Sequence, residues 1–429
     1  MVARMVITPW GDASDLKAKK MRPGGGTRDA RTAGSQRERI FAAMVATVSE
    51  KGYEATTVAD VAELSGVSKS SYYEHFSDKQ SGFLATIEAL FGPALDYASE
   101  QGLGGEEEQA RGVFEAGIEL IVAQPAAAKM ALVEAYAAGA PAVEILDHTV
   151  DEIERLLTQM FERVPGREGM PPEIVRALIG GLQKVIHKRL LRGEEAELSK
   201  LAPELWGWML SVPPPPGRLR ARRVRTVKPL SFEDRQLPSN PAERLLRALA
   251  AVVSEKGYQD AKISEIVERA KTSQRTFYEH FDSKEDAIVA ALDSGSAQML
   301  AAALPAFRRG GDWPQAVHDT QEAMLHFAAE EPEYGRLGAV EMYGAGKRAL
   351  EQREMVTEGM EGLLQPGYEV SPSAPPIAAE AIGGALYALL YDFVKRHGPV
   401  RLLELVPTFV YMTLAPFLGA EAAYEVAVG

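Results

Sequence analysis

The sequence predicts an all-α protein made of two tandem copies of one helical unit. Three observations predict it. SEKGY occurs at 49–53 and again at 254–258, and EHF at 74–76 and again at 279–281, both at an offset of 205 residues. Between these anchors, residues 37–90 and 242–295 are identical at about a third of positions, with no insertion needed. Apolar residues recur at helical spacing along nearly the whole chain, and no convincing strand alternation is present. Fainter echoes follow in each half: VEAY (133–136) with VEMY (340–343), IGG (179–181) with IGG (382–384), and LAPELW (201–206) with LVPTFV (405–410).

A chain of 429 residues is too long for one ordinary core. Its 46% hydrophobic and 25% charged content is that of a folded globular protein. The absence of cysteine excludes disulfides, thiolate metal sites and a Cys nucleophile. No unbroken apolar run reaches the roughly 18 residues of a membrane span. Met1–Trp10 has no signal-peptide pattern. A cytoplasmic protein without a membrane partner is therefore expected. The net charge is −13, but basic residues concentrate in two non-periodic stretches. Residues 1–36 carry +4 and residues 213–241 carry +5, leaving the remainder strongly acidic. Such stretches are either solvated tails or arms that meet polyanions.

Taken in order, residues 1–36 are expected to form a basic disordered arm. The first helix then carries Ile40, Phe41, Met44, Val45 and Val48 on one stripe, and its partner carries Leu245, Leu246, Leu249, Val252 and Val253. Gly52 and Gly257 stand where a helix ends in a left-handed residue. Further helices are expected over 79–98, 107–123, 126–138, 142–163, 172–192 and 197–211, with counterparts in the second half. The join at 213–241 begins PPPPGRLRARRVRTVKPL, which starts as polyproline II and cannot pack as a core.

Residues 57–76, TVADVAELSGVSKSSYYEHF, carry the sharpest signal. Thr57 and Asp60 have capping-box spacing. Val58, Val61 and Ala62 give a short helix its inner face, Gly66 permits a left-handed turn, and Ser68 caps the next helix. Tyr72 and Phe76, four apart, point inward. Lys69, Ser70 and Tyr73 share the outer face, where a recognition helix meets a major groove. The motif occurs twice, each time behind a helix at the same spacing and each time after a basic segment.

The chain here resembles the TetR (tetracycline-repressor-like) family of bacterial transcriptional regulators. The shared pattern is G-Y-x-x-T-T-V-x-x-V-A-x-x-x-G-V-S-K-x-x-x-Y-x-H-F-x-x-K, filled closely by Gly52–Lys79 and more loosely by Gly257–Lys284. The resemblance implies two fused members. Their domains are a helix-turn-helix at 37–90, a helical ligand-binding and dimerisation domain at 91–212, the basic Pro-rich linker at 213–241, a second helix-turn-helix at 242–295 and a second helical domain at 296–429.

It also implies roles. Thr57, Ser71, Tyr73, His75 and Lys79 would hold phosphates, and Lys69 and Ser70 would lie nearest base edges. In the second copy Thr276, Tyr278, His280 and Lys284 would hold phosphates, with Gln274 and Arg275 on bases. Arg275 suits guanine and Gln274 adenine, while Lys69 suits guanine or a phosphate equally. Ser68 and Lys262 complete the DNA-facing candidates. The basic arms, with Arg28, Arg31, Arg37 and Arg39 before the first module and Arg218, Arg220, Arg222, Arg223, Arg225 and Lys228 before the second, suit a minor groove.

The second copy departs from the pattern. Lys262 replaces Thr57, Lys271 replaces Gly66 and Thr272 replaces Val67. A lysine in a left-handed turn costs about 1 kcal/mol, so a reshaped turn is expected.

Family members resemble two-fold dimers joined through their last two long helices. One chain here owns both halves. An intrachain pseudo-dimer is expected, with helices 172–192 and 197–211 packed on 376–397 and 400–417. Gly180–Gly181 and Gly383–Gly384 either permit close helix approach there or merely weaken a helix. A dimer of chains is the rival arrangement. The resemblance further implies an apolar cavity for a small apolar or amphipathic effector in each helical domain. Candidate lining residues are Tyr136, Phe161 and His187, then Phe327, Tyr343 and Tyr387, each of which is also suited to ordinary core.

No HExxH, nucleophile elbow, Gly-rich phosphate loop or acidic metal cluster is present, so neither an enzyme nor a cofactor is expected. The expected function is a sequence-specific repressor of a double-stranded DNA operator, released by an effector. The alternatives are a non-specific architectural DNA binder and a ligand sensor that has lost DNA binding.

Overall fold

The computed structural model describes residues 6–16, 30–101, 105–220, 227–229, 232, 236–308 and 311–429. The fold is all-α apart from one two-stranded hairpin near the N-terminus. The first half supplies α1 (Ala30–Lys51), α2 (Val58–Ser65), α3 (Lys69–His75), α4 (Lys79–Glu100), α5 (Glu107–Ala123), α6 (Pro125–Leu132), α7 (Ala140–Phe161), α8 (Pro172–Arg192) and α9 (Leu198–Ser211). The second supplies α10 (Pro241–Lys256), α11 (Ile263–Arg269), α12 (Gln274–His280), α13 (Lys284–Arg308), α14 (Trp313–Glu330), α15 (Pro332–Ala339), α16 (Lys347–Glu361), α17 (Gln365–Val370), α18 (Ala378–His397), α19 (Val406–Leu418) and α20 (Ala420–Val428).

The chain divides into two compact units. Unit 1 comprises 1–164 and 186–203, and unit 2 comprises 165–185 and 204–429. Unit 2 thus holds the second half together with two stretches of the first, from α8 and α9.

In unit 1, the stripe Ile40, Phe41, Met44, Val45 and Val48 is buried, and Val61, Tyr72, Phe76, Phe83 and Ile87 close the core around it. The N-terminal expectation needs correction. Residues 6–16 are ordered: β1 (Ile7–Thr8) pairs with β2 (Gly11–Asp12), and a 3-10 turn spans Ala13–Leu16. Trp10 packs its ring 5.1 Å from that of Phe41, and Ala13 and Leu16 are buried in the same core, with Val6 packed against it. These four apolar side chains outweigh the basic composition of the rest of the arm. The first helix also starts at Ala30, inside the stretch expected to be disordered.

The helix expected over 126–138 breaks. α6 ends at Leu132, Val133 takes φ −117°, and a 3-10 turn covers Glu134–Ala138. The second half breaks alike at Val340, φ −123°, before Glu341–Gly344. The repeated VEAY and VEMY therefore mark a repeated change of helix type.

In unit 2, α8 and α18 meet through glycine. A Cβ added to Gly180 would lie 3.0 Å from the Gly384 carbonyl, and one added to Gly384 would lie 2.5 Å from the Gly180 carbonyl. At Gly181 a Cβ would overlap the Trp208 ring and stand 2.8 Å from the Ala381 carbonyl. Gly180, Gly181 and Gly384 thus permit close backbone approach, whereas a Cβ on Gly383 would meet the Lys184 side chain. Around the seam, Lys184 pairs with Glu361 at 2.9 Å and Arg176 with Asp392 at 3.5 Å. The Tyr411 hydroxyl donates to Pro213 O at 2.8 Å, tying the start of the linker to α19.

Two helical stretches, Lys284–Arg308 and Pro399–Leu418, are long and apolar enough to cross a membrane, with mean hydropathies of 1.4 and 1.3. The sequence expectation counted unbroken apolar runs and so passed over both. The second stretch is 83% buried within its unit, as a core helix is.

Candidate nucleic-acid interface

Each unit carries a helix-turn-helix built on similar internal bonds. In unit 1, Thr57 caps α2. Its hydroxyl accepts from Asp60 N at 3.2 Å and donates to the Asp60 carboxylate at 2.7 Å, and Thr57 N donates to that carboxylate at 2.9 Å. Lys51 Nζ reaches the same carboxylate at 2.7 Å. These donors hold the Asp60 pKa down at about 2, with the Lys51 bond the largest cause. Unit 2 keeps half of this arrangement. Lys262 N donates to Glu265 at 3.3 Å and Lys256 Nζ pairs with Glu265 at 2.6 Å, but an ammonium cannot accept the return bond that Thr57 accepts.

The turn between the helices is left-handed in both heads. Gly66 has φ 67° and Lys271 has φ 51°, the one non-glycine positive φ among the described residues. Gly66 N donates to Glu63 O at 3.3 Å and Lys271 N to Glu268 O at 3.0 Å. Lys271 thus keeps the left-handed conformation, but the turn around it differs: the helix before it ends at Arg269, one position earlier than its counterpart, and Thr272 N donates to Val267 O at 2.9 Å where Val67 N meets Ser65 Oγ at 3.4 Å. Ser68 then caps α3 by accepting from Ser71 N, and Ser273 caps α12 by accepting from Thr276 N, each at 3.1 Å. Tyr72 and its counterpart Phe277 are fully buried. Burial pushes the Tyr72 hydroxyl well above its ordinary range, and it donates to Asp78 O at 3.1 Å.

Inside that shared frame the outward residues differ. Lys69, Ser70 and Tyr73 are exposed on α3, and Gln274, Arg275, Tyr278 and His280 on α12. Tyr73 and Tyr278 are each 55% exposed, an unusual state for a large ring. Arg275 is 89% exposed in its side chain and meets Glu279 at 3.0 Å, an exposed pair that competes weakly with another partner. His75 Nε2 lies 3.4 Å from Gln36 Oε1. Ser71 Oγ accepts from Ser68 Oγ at 2.9 Å, and the Thr276 and Ser273 hydroxyls lie 3.0 Å apart. Lys262 is exposed.

Three expected phosphate ligands are engaged inside the heads instead. The Thr57 hydroxyl serves the capping box described above. Lys79 Nζ donates to Tyr53 O at 2.8 Å and Glu54 O at 3.3 Å, and lies 4.1 Å above the Tyr53 ring. Lys284 Nζ donates to Tyr258 O at 2.7 Å, Ala261 O at 3.0 Å and Gln259 O at 3.3 Å, and lies 4.4 Å above the Tyr258 ring. Desolvation lowers the pKa of both lysines. Successive residues of a turn present carbonyls no helix uses, so a nearby ammonium satisfies them.

The sequence reading noted the VEAY and VEMY motifs but missed their part. Glu134 accepts the N–H of Tyr53 at 2.9 Å, and Glu341 accepts from the Tyr258 backbone. The aromatic residue of each GY turn is therefore gripped at its N–H by a glutamate of the helical domain and at its carbonyl by a lysine of α4 or α13. Only the recurrence of VE and GY together signalled this in the sequence.

The arginines of the first arm also settle differently. Arg37 stacks over Phe41 and Phe76 at 5.3 and 5.6 Å. Arg39 donates to Ser65 O at 2.8 Å and Leu16 O at 3.1 Å. Arg28, Arg222, Arg223 and Arg225, and the side chain of Arg31, lie outside the described residues, while Arg218, Arg220 and Lys228 are exposed.

A cavity lies in unit 2 between α14, α16, α18 and α19, lined among others by Val317, Gln321, Met360, Ile382 and Thr413. None of the six expected lining residues borders it. Phe161 is fully buried core, Tyr136 stacks on His187 at 6.3 Å, Tyr343 packs edge-on to Tyr391 at 5.1 Å, and Tyr343 and Tyr387 pack against the core of the second head. Phe327 is half-buried on α14. Large rings fill space, and the cavity survives beside small residues such as Ala379, Gly383 and Thr320.

Residues 40–86 and 245–291 each match the profile described as bacterial regulatory proteins, tetR family. A stretch of 52 residues, 12% of the chain, is 48% identical to the uncharacterized HTH-type transcriptional regulator YvdT of Bacillus subtilis (strain 168). The match spans 27% of that relative's length. Among solved structures, the fatty acid degradation regulator FadR from Bacillus halodurans is 18% identical, with 41% of this chain and 97% of that one covered at a TM-score of 0.37. The corresponding figures for FadR from Bacillus subtilis, solved in complex with stearoyl-CoA, are 16%, 41%, 97% and 0.37. For the TetR family regulator PfmR from Thermus thermophilus they are 20%, 43%, 99% and 0.35. Each half of the chain thus carries one segment similar to the tetR family profile, lying over its helix-turn-helix.

Proposed function

We propose that the chain is a cytoplasmic, sequence-specific DNA-binding transcriptional regulator, a repressor released by a small molecule, whose two unlike reading heads address one imperfect palindrome. One observation carries the reading: both heads share the serine cap of their second helix, a left-handed turn and a buried aromatic, while the outward faces of α3 and α12 read Lys69, Ser70, Tyr73 and Gln274, Arg275, Tyr278. A frame kept constant beneath a varied exposed face supports two different half-sites. Tyr73, Tyr278, His75, His280, Ser71 and Thr276 are read as phosphate-side residues. Thr57, Lys79 and Lys284 are assigned to positioning the heads rather than to holding phosphate.

The glycine seam within unit 2 supports a one-chain pseudo-dimer, since stretches of α8 and α9 pack there with α18. The cavity of unit 2 supports an effector site in the second half. An effector alters DNA affinity only by binding one conformer better than another.

Selection of DNA by the full chain, followed by footprinting, tests the reading. One protected site with two unequal halves about 34–36 Å apart is expected. Arg275→Ala should relax base preference in one half only, costing about 1–3 kcal/mol there. Equal affinity for random DNA would leave an architectural binder, and no binding at low salt would leave a ligand sensor. Protection over twice the length would favour two chains per site.

A further inference from the structure

We propose that the seam between α8 and α18 is heterospecific: its charges fit each half of the chain to the other half and not to a second copy of itself. The inference rests on the pseudo-dimer reading above and adds what selects the partner.

In unit 2, Gly384 is the repeat counterpart of Gly181, since IGG at 179–181 answers IGG at 382–384. A Cβ added to Gly384 would lie 3.1 Å from the Gly181 Cα. Equivalent residues that meet mark a local two-fold axis. The charges beside that axis do not follow its symmetry. Arg176 of α8 pairs with Asp392 of α18 at 3.5 Å, with side chains 12% and 23% exposed. At the same offset of 203 residues, the counterpart of Arg176 is Ala379 and that of Asp392 is Arg189. Lys184 of α8, its side chain 4% exposed, pairs with Glu361 of α16 at 2.9 Å. The counterpart of Lys184 is Tyr387.

The same axis applied to two first halves would set Arg176 against Arg189, two cations in place of an ion pair. Lys184 would still find a glutamate there, because Glu154 answers Glu361 when Gly139 is aligned with Gly346. Applied to two second halves, the axis would set Asp392 against Ala379 and Glu361 against Tyr387. Asp392 would keep its helix neighbour Arg396, but Glu361 would lose its lysine. Opposing like charges, or stripping a largely buried carboxylate of its cation, disfavours a pairing more than an exposed ion pair favours one. Only unlike halves satisfy both positions.

The full chain is the material for the test. It is folded whole and then cut at a protease site inserted in the linker, between residues 223 and 224, so that each half stays with the partner it folded with. Native mass spectrometry should find pairs of one first and one second half. Asp392→Arg and Arg176→Asp should each weaken this pairing by about tenfold or more on dilution, and the two changes together should restore most of it. Arg189→Asp combined with Asp392→Arg moves the acid to the first half and should bring pairs of two first halves into the cut sample. Circular dichroism confirms the fold of every variant. Like-with-like pairs from the unaltered chain would overturn the proposal. So would undiminished pairing in the single variants, a double variant no tighter than the weaker single, or no pairs of two first halves after Arg189→Asp with Asp392→Arg. Light scattering of the uncut chain separates the two readings. A two-chain mass that yields only mixed pairs after cutting sinks the one-chain arrangement alone, and a one-chain mass with pairing indifferent to these charges sinks this inference alone.

Discussion

Glu134 accepts the backbone N–H of Tyr53 at 2.9 Å, joining the helical domain of unit 1 to its reading head, and Glu341 meets Tyr258 likewise in unit 2. The breaks at Val133 and Val340 come immediately before these glutamates and end the preceding helix one residue short of each. Glu134→Ala leaves the Tyr53 N–H without its acceptor and should cost about 1–3 kcal/mol. Amide exchange at Tyr53 should accelerate accordingly. Glu134→Gln keeps an acceptor and should restore most of the protection; equal exchange in both variants would contradict the role given to this bond.

The glycine seam should tolerate no side chain. Gly384→Ala would place a Cβ 2.5 Å from the Gly180 carbonyl, so α8 and α18 must separate, at about 1–3 kcal/mol. Gly207 on α9 has nothing within 4 Å of an added Cβ. Gly207→Ala should therefore stabilise by about 0.5–1 kcal/mol, the usual gain inside a helix. Calorimetric melting of the two variants should move in opposite directions.

At Lys271, stability and charge pull apart. Its φ of 51° carries left-handed strain, so Lys271→Gly should stabilise the second head by roughly 1 kcal/mol. The same change removes an exposed positive charge and should weaken DNA binding with a shallower salt dependence. Gly66→Ala, at φ 67°, should destabilise the first head. Denaturant titration reads the first effect and a salt series the second.

Acid should loosen the start of α2. The Asp60 pKa is depressed, chiefly by Lys51 and then by Thr57. A depressed acid stabilises the fold above its ordinary pKa of 3.8, and that contribution is lost as pH falls through the window down to about 2. Asp60→Asn should flatten the stability profile across that window. An unchanged profile would mean that Asp60 does not report folding there.

Much of both heads was legible in sequence because their determinants are local. Capping residues, a left-handed turn and a buried i, i+4 aromatic act within a few residues of one another, and a repeat at fixed offset shows them twice. The engagement of Lys79 and Lys284 was not legible, because it depends on which unpaired carbonyls lie within reach of a long side chain after folding. The hairpin at 7–12 was hidden by composition, since four apolar residues suffice to dock a segment whose neighbours are basic.

The sequence by itself determined the duplication, the all-α class, the register of the two helix-turn-helix motifs and the differing outward faces, all set by periodicity and short-range steric rules. Tertiary structure alone decided which glycines form the seam, which glutamates grip the heads and where a cavity remains. Those outcomes depend on the packing of residues up to about two hundred positions apart, as between Gly180 and Gly384, and helical spacing carries no record of such distances.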